Sequence, residues 1–222
     1  VFAGMGGSGA IGDIIASILS KTNIHTTAIK GYLLPKTVDS KTLVVSTSVS
    51  GNTQEILSTL KLSNDMKCKI VAFSSGGKIK DYAIKNKIEF REIPQIHSPR
   101  ASFVSFLFSM LKVLKPIIPL KTDDVYKSIK ELEIQSEIIS SQNLNQDNPA
   151  ISMAKWITAI PLIYYPSGLQ AAAIRFKNSL QENVKIHAIT EDVIEACHNG
   201  IVAWEKPSNV QPILLEGEDD YF

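Results

Sequence analysis

Short β-branched runs alternating with amphipathic helical stretches narrow the possible folds of this chain more than any other feature. The runs Val1–Gly4, Thr42–Ser46, Lys69–Ser74 and Glu89–Ile93 read as strands. Between them, Ile11–Leu19, Thr53–Leu62 and Ile79–Lys85 carry apolar residues at three- or four-residue spacing, the helical period. Ser98-Pro99 then opens a long apolar stretch, Arg100–Leu114, that reads as a helix with Ser98 as N-cap and Pro99 at its first position. Strand–helix alternation of this kind implies a parallel sheet with helices on both faces.

The breaker Pro116-Ile117-Ile118-Pro119 closes this block, and an amphipathic helix over Asp123–Ile139 and a polar linker, Ser140–Pro149, follow. The rhythm then restarts. Helices are expected at Ile151–Ile157, Leu169–Gln181 and Glu191–Ala196, and strands at Pro161–Tyr165, Val184–Ile189, Ile201–Trp204 and Pro212–Leu215. The expectation is two α/β domains of one type: residues 1–120, a helix and linker over 121–150, and a second, truncated domain over 151–222. The chain starts at Val1 rather than Met and reads as a piece of a longer protein.

Composition removes several functions. Lys and Arg number 23 against 22 acidic residues, a balance that disfavours a nucleic-acid partner. No apolar run approaches the length of a membrane span, and Cys68 and Cys197 have neither metal-ligand spacing nor the number for a disulfide framework. A reducing cytoplasm is the expected compartment.

Five of the 12 glycines fall in the first 12 residues. Gly4, Gly6 and Gly9 satisfy G-x-G-x-x-G between a strand and a helix, which raises a dinucleotide site. Such a site also wants an acidic residue about 20 positions on, at the end of the second strand. His25–Tyr32 offers Lys30 and no carboxylate. A tight turn without ligand is the bland alternative; what both ligand readings share is backbone N–H groups of a helix N-terminus facing an anion. The second loop, Ser46–Thr53, also lies between a strand and a helix, and five of its eight residues bear hydroxyls. Ser48, Ser50 and Thr53 can donate to one phosphate, although Ser and Thr also favour capping turns without any ligand.

Ser48-Val49-Ser50-Gly51-Asn52-Thr53 resembles the S-x-S-G-N-T loop of sugar isomerase (SIS) domains. Together with Gly4–Asp13, it is similar in particular to the bifunctional phosphoglucose/phosphomannose isomerases. Pro99–Ser102, Glu182–Lys185 and His198–Glu205 follow in that family's order. The last block departs from the pattern in having Cys197 and Gly200 around His198-Asn199, where the family shows a hydrophobic residue and a Glu.

The resemblance implies two SIS-type αβα sandwich subdomains with parallel sheets. It implies a metal-independent aldose–ketose isomerase acting on sugar 6-phosphates, without cofactor, in a homodimer with shared sites. Gly7, Ser8, Ser48, Ser50 and Thr53 would hold the phosphate. Glu182 would be the base at C2; an acid at a helix end also opposes the local dipole, which is suggestive on its own. Arg100, one of three arginines, would face the developing enediolate from the first turn of its helix. His198 would open the sugar ring, reaching the site of the other subunit. His187 reads as a strand residue, Trp156 and Trp204 as core or interface, and Arg175–Lys177 as a polar helix face. A non-catalytic SIS module that senses a sugar phosphate would keep the Ser48–Thr53 loop but has no need of Glu182, Arg100 and His198 together.

Overall fold

Strand β1 (Phe2–Gly4) is short but lies inside the first sheet, paired on one side with β2 (Ala28–Ile29) and on the other with β3 (Leu43–Ser48). β4 (Lys69–Ser74) and β5 (Glu89–Glu92) extend that sheet, giving the order β2-β1-β3-β4-β5, all parallel. These strands and their helices belong to a compact unit, Val1–Ile118, and a second unit starts at Pro119. The computed structural model describes residues 1–145 and 147–217. Gln146 of the expected linker and residues 218–222 of the expected second domain lie outside the described residues.

Parallel strands need crossovers, and helices supply them on both faces of the first sheet. Helix α1 (Gly6–Leu19) packs on the face of Phe2, where a Cβ added to Gly12 would lie 3.0 Å from the Phe2 Cβ. Helix α4 (Phe103–Val113) covers the same face: the Thr47 hydroxyl points at the Met110 sulfur, 3.6 Å away. On the other face, α2 (Gln54–Asp65) and α3 (Gly77–Lys85) bury Ile56, Leu57, Leu60 and Ile79 against Ala3 and Ala72. The first unit is thus the expected αβα sandwich.

The second unit contains α5 (Thr122–Ile138), α6 (Pro149–Trp156) and a parallel sheet of order β7-β6-β8. Its strands are β6 (Ile160–Tyr165), β7 (Ile189–Asp192) and β8 (Val210–Leu214). Helix α7 (Gln170–Ser179) links β6 to β7, and Ile163, Ala173 and Ile213 form the buried centre. The one-turn helix α8 (Val193–Ala196) is capped by the Asp192 carboxylate, which accepts the N–H groups of Ile194 and Glu195.

Several sequence expectations fail here for local reasons. Ile201–Trp204 is a 3₁₀-helix (Gly200–Glu205) rather than a strand, since four apolar residues cannot distinguish the periods. The expected strand Val184–Ile189 begins only at Ile189, because a π turn (Leu180–Val184) prolongs α7 and Lys185 then turns left-handed (φ 65°). His187 therefore precedes the strand and is exposed. Helix α4 starts at Phe103, after a turn over Pro99–Ser102, so Ser98 is not its N-cap and Arg100 is not in its first turn. Of the core-or-interface reading for Trp156 and Trp204, the core half fails, since they are 51% and 40% exposed.

Ser46 is the one buried side chain whose oxygen lacks a hydrogen bond among the described residues. It pairs in register with Ala3 and Ala72 on the apolar α2–α3 face. An unpartnered buried hydroxyl costs about 1–3 kcal/mol. Ser46→Ala should therefore leave the unfolding free energy unchanged or raise it in urea denaturation. A loss of more than about 1 kcal/mol would show that the hydroxyl has a partner.

Candidate functional site

A strand order of 2-1-3-4-5 reverses direction between β1 and β3, and ligands of such sheets bind outside the carboxyl ends of the strands at that point. The glycine loop after β1 and the Ser48–Thr53 loop after β3 flank it. Helix α1 begins at Gly6 (φ 53°), five residues earlier than its apolar periodicity suggests, so Gly6, Gly7, Gly9 and Gly12 are part of the helix while Gly4 ends β1. Close packing requires them: a Cβ on Gly4 would lie 2.7 Å from the Ser8 carbonyl oxygen, and one on Gly9 2.7 Å from the Gly4 oxygen.

Both helix N-termini at this point lack a side-chain cap. At α1 the N-cap is Met5, which has no oxygen to offer, and no acid occupies the first turn. At α2 the N-cap is Thr53, but its hydroxyl turns to the Ser48 hydroxyl, 2.8 Å away, instead of capping. Orphan N–H groups at the positive end of each dipole are therefore left without a capping side chain, with Glu55 the one acid in the first turn of α2. That is an environment for an anion.

The expected phosphate residues occupy this region with different roles. Gly7 lies in the first turn of α1 with open space where a side chain would be. Ser8 is buried, and its oxygen accepts the Val49 N–H at 3.4 Å, joining the two loops. Ser48 is 1% exposed and also accepts the Gly51 N–H at 3.2 Å. Ser50 is exposed and accepts the Asn52 N–H at 3.3 Å. Gly51 has φ 68°, and its conformation brings the backbone against the carbonyl of Gly76. Lys30, standing where a dinucleotide site wants an acid, turns to Asp13 of α1 at 2.5 Å. Arg100, in the turn between β5 and α4, leaves the carboxyl edge of the same sheet and is exposed.

In the second unit, Glu182 lies inside the π turn that follows α7, a rare geometry that recurs at functional sites. Lys185 closes the turn, its ammonium donating to the Glu182 carbonyl oxygen at 2.5 Å. His198 follows α8 and precedes the 3₁₀-helix, and it is exposed. The Trp204 indole of that helix donates to the Tyr164 hydroxyl at 3.2 Å, fixing the segment to β6. Because α7 joins two parallel strands, it runs back from the carboxyl edge to the amino edge of its sheet. Glu182 is thus delivered before β7 and His198 after it, at opposite ends of one strand. Among the described residues no cluster of His, Cys, Asp or Glu could hold a metal ion, and no helix is long and apolar enough to cross a membrane. Both cysteines are free thiols, and burial together with the nearby Asp39 charge pushes the Cys68 thiol up.

The sequence did not single out the Ser74–Lys78 loop after β4, although its Ser-Ser-Gly-Gly run between a strand and a helix was a signal. It abuts the Ser48–Thr53 loop: a Cβ on Gly77 would lie 2.8 Å from the Ser50 carbonyl oxygen.

Residues 146–221 match the model of the bacterial phospho-glucose isomerase C-terminal SIS domain. A bifunctional phosphoglucose/phosphomannose isomerase of Caldicellulosiruptor bescii is 32% identical over the whole of this chain and 68% of its own length. A D-glucosamine-6-phosphate 4-epimerase of Sulfolobus acidocaldarius is 28% identical over 98% of this chain and 68% of its own. Across the curated relatives, the chain spans 60–68% of their lengths. Among solved structures, the tagatose-6-phosphate ketose/aldose isomerase of Escherichia coli superimposes with a TM-score of 0.68 at 18% identity, over 96% of this chain and 60% of that one. That likeness is one of fold.

If the amide groups of α2 are kept open for an anion, filling them should strengthen the fold and abolish binding. Thr53→Asp, which places a strong capping carboxylate there, should raise unfolding free energy by about 0.5–2 kcal/mol. Inorganic phosphate binding, followed by calorimetry, should disappear. Retained binding in the Asp variant would place the anion elsewhere.

Proposed function

Because the chain belongs to the bifunctional phosphoglucose/phosphomannose isomerase family, we propose that it interconverts glucose 6-phosphate, mannose 6-phosphate or both with fructose 6-phosphate. The reaction runs through an enediolate and needs no metal. The observation that carries this reading is the pair of uncapped helix N-termini at the switch point, one of them opened by the Ser48–Thr53 hydroxyl contact. A phosphate dianion seated there would meet orphan N–H groups, two helix dipoles and the hydroxyls of Ser48, Ser50 and Thr53 without needing a formal cation.

The remaining roles are those the family resemblance implies, and each suits the chemistry. A base must carry a proton between C2 and C1, and Glu182 takes that role. The permanently charged guanidinium of Arg100 stabilises the oxyanion that develops on the enediolate. His198 passes a proton to the ring oxygen to open the sugar. The delivery of Glu182 and His198 to opposite ends of β7 favours their meeting across two copies, so the enzyme is a C2 homodimer in which each site borrows the partner's histidine. We place this dimer in the cytoplasm. A module that only senses sugar phosphates is the competing outcome of the tests below.

Glu182→Gln keeps the side chain's shape but removes the proton acceptor. In the full-length protein its kcat for fructose 6-phosphate should fall by about 10²–10⁴-fold with little change in binding. Product formed by the parent enzyme in deuterium oxide should carry deuterium at the shuttled position. Isomerisation by Glu182→Gln at the parent rate would refute the assignment and leave the sensor standing.

The shared-site claim has its own check. Glu182→Gln and His198→Ala chains, each inactive alone, should recover part of the activity when mixed and allowed to exchange subunits. A protein that light scattering shows to be monomeric while it turns over would remove the claim.

A further inference from the structure

We propose that Asn52 is a positioning residue, holding the Ser48–Thr53 loop in its anion-accepting shape by bridging it to the Ser74–Lys78 loop. The proposal rests on the reading that this loop takes the substrate's phosphate. Asn52 is exposed, so its side chain contributes little by burial. Both ends of its side-chain amide and its backbone N–H are nevertheless used. Its carbonyl oxygen accepts the Lys78 N–H at 3.3 Å. Its amide nitrogen donates to the Ser50 carbonyl at 3.0 Å, and its own backbone N–H donates to the Ser50 hydroxyl at 3.3 Å.

The contact belongs to a larger clasp. The Val49 carbonyl accepts from both the backbone N–H and the hydroxyl of Ser75, at 3.0 and 2.6 Å. The Gly51 carbonyl accepts the Ile79 N–H at 3.0 Å. Each carbonyl oxygen of residues 49–51 is therefore engaged by a donor: two by the neighbouring loop and its helix, the middle one by Asn52. A carbonyl oxygen turned toward a phosphate would repel it, and an engaged carbonyl cannot turn without losing its bond. Asn52 is the side chain that serves both loops at once. Glycines allow the approach: a Cβ on Gly77 would lie 2.9 Å from the Asn52 carbonyl oxygen, in a backbone of φ 67°.

A positioning role differs from a structural one in what it moves. In the full-length protein, Asn52→Ala frees the Ser50 carbonyl but leaves the hydroxyls, the uncapped helices and the proposed acid–base residues in place. The KM for fructose 6-phosphate and the competitive inhibition constant of inorganic phosphate should rise together by about tenfold, the equivalent of roughly one to two lost hydrogen bonds. The kcat should stay within about twofold, because the phosphate does not react. Amide exchange at Lys78, followed by mass spectrometry, should quicken. Asn52→Leu, of the same size without polar groups, serves as a second variant and should behave alike.

Unchanged KM and inhibition constant, a fall in kcat at constant KM, or failure of both variants to fold would each overturn the proposal. The control is the double variant Ser48→Ala/Thr53→Ala. If the control loses phosphate inhibition while Asn52→Ala does not, the loop binds phosphate and Asn52 does not position it. If the control also keeps full phosphate inhibition, the phosphate reading of the loop falls, and the proposal with it.

Discussion

Everything in the first unit hangs on how closely α1 approaches the end of β1. Gly4 and Gly9 allow backbone to touch backbone, with no room for a Cβ at either position. This contact brings Ser8 to the point where its oxygen meets the Val49 N–H, and so connects the first loop to the second. The second loop is in turn fastened to the third through Val49, Gly51 and Asn52. Three strand ends thus form one braced rim, and the helices α1, α2 and α3, none with a side-chain cap, start from it. A methyl group at Gly4 or Gly9 would act on the rim through its geometry, well before any ligand contact was lost.

The rim also carries a cost in stability. A threonine at an N-cap ordinarily closes the helix end, and here its hydroxyl is spent on Ser48. Met5 caps nothing at the other helix. Side chains do cap α6 and α8 of the second unit, through Asn148 and Asp192, whereas α3, α4, α5 and α7 lack such a cap as α1 and α2 do. What sets α1 and α2 apart is their place at the switch point. Amide groups left open at a switch point suit an anion.

How much of this was legible in the sequence depended on the element. Lys69–Ser74 was read to the residue, because β-branched and aromatic residues fill it and breakers bound it. The helical nature of Gly6–Ala10 was not, since intrinsic propensity counts glycine against a helix and only the tertiary contact with Gly4 explains it. Ile-Val-Ala-Trp at 201–204 has strand composition, but the indole's bond to Tyr164 and the short run settle it as a 3₁₀ turn. The hydroxyls of the Ser48–Thr53 loop were evident as a group; that two of them face each other, leaving the amides open, depends on distances no spacing rule contains. Asn52 was visible only as a letter in a motif, because the partner that joins it to the neighbouring loop, the Lys78 N–H, comes from a helix 26 residues away.

One feature of the second unit has an optical consequence. Both tryptophans, Trp156 and Trp204, lie beyond Pro119, and the first unit contains none. Trp204 sits in the segment that follows His198, half in water, with its indole nitrogen held by a phenol. Indole emission therefore arises from the second unit, and one of its two sources follows the histidine in the chain. Tyrosine absorbance and far-ultraviolet dichroism register both units. The chain thus carries a built-in two-colour reporter, able to show whether its halves melt together or in sequence without any added label.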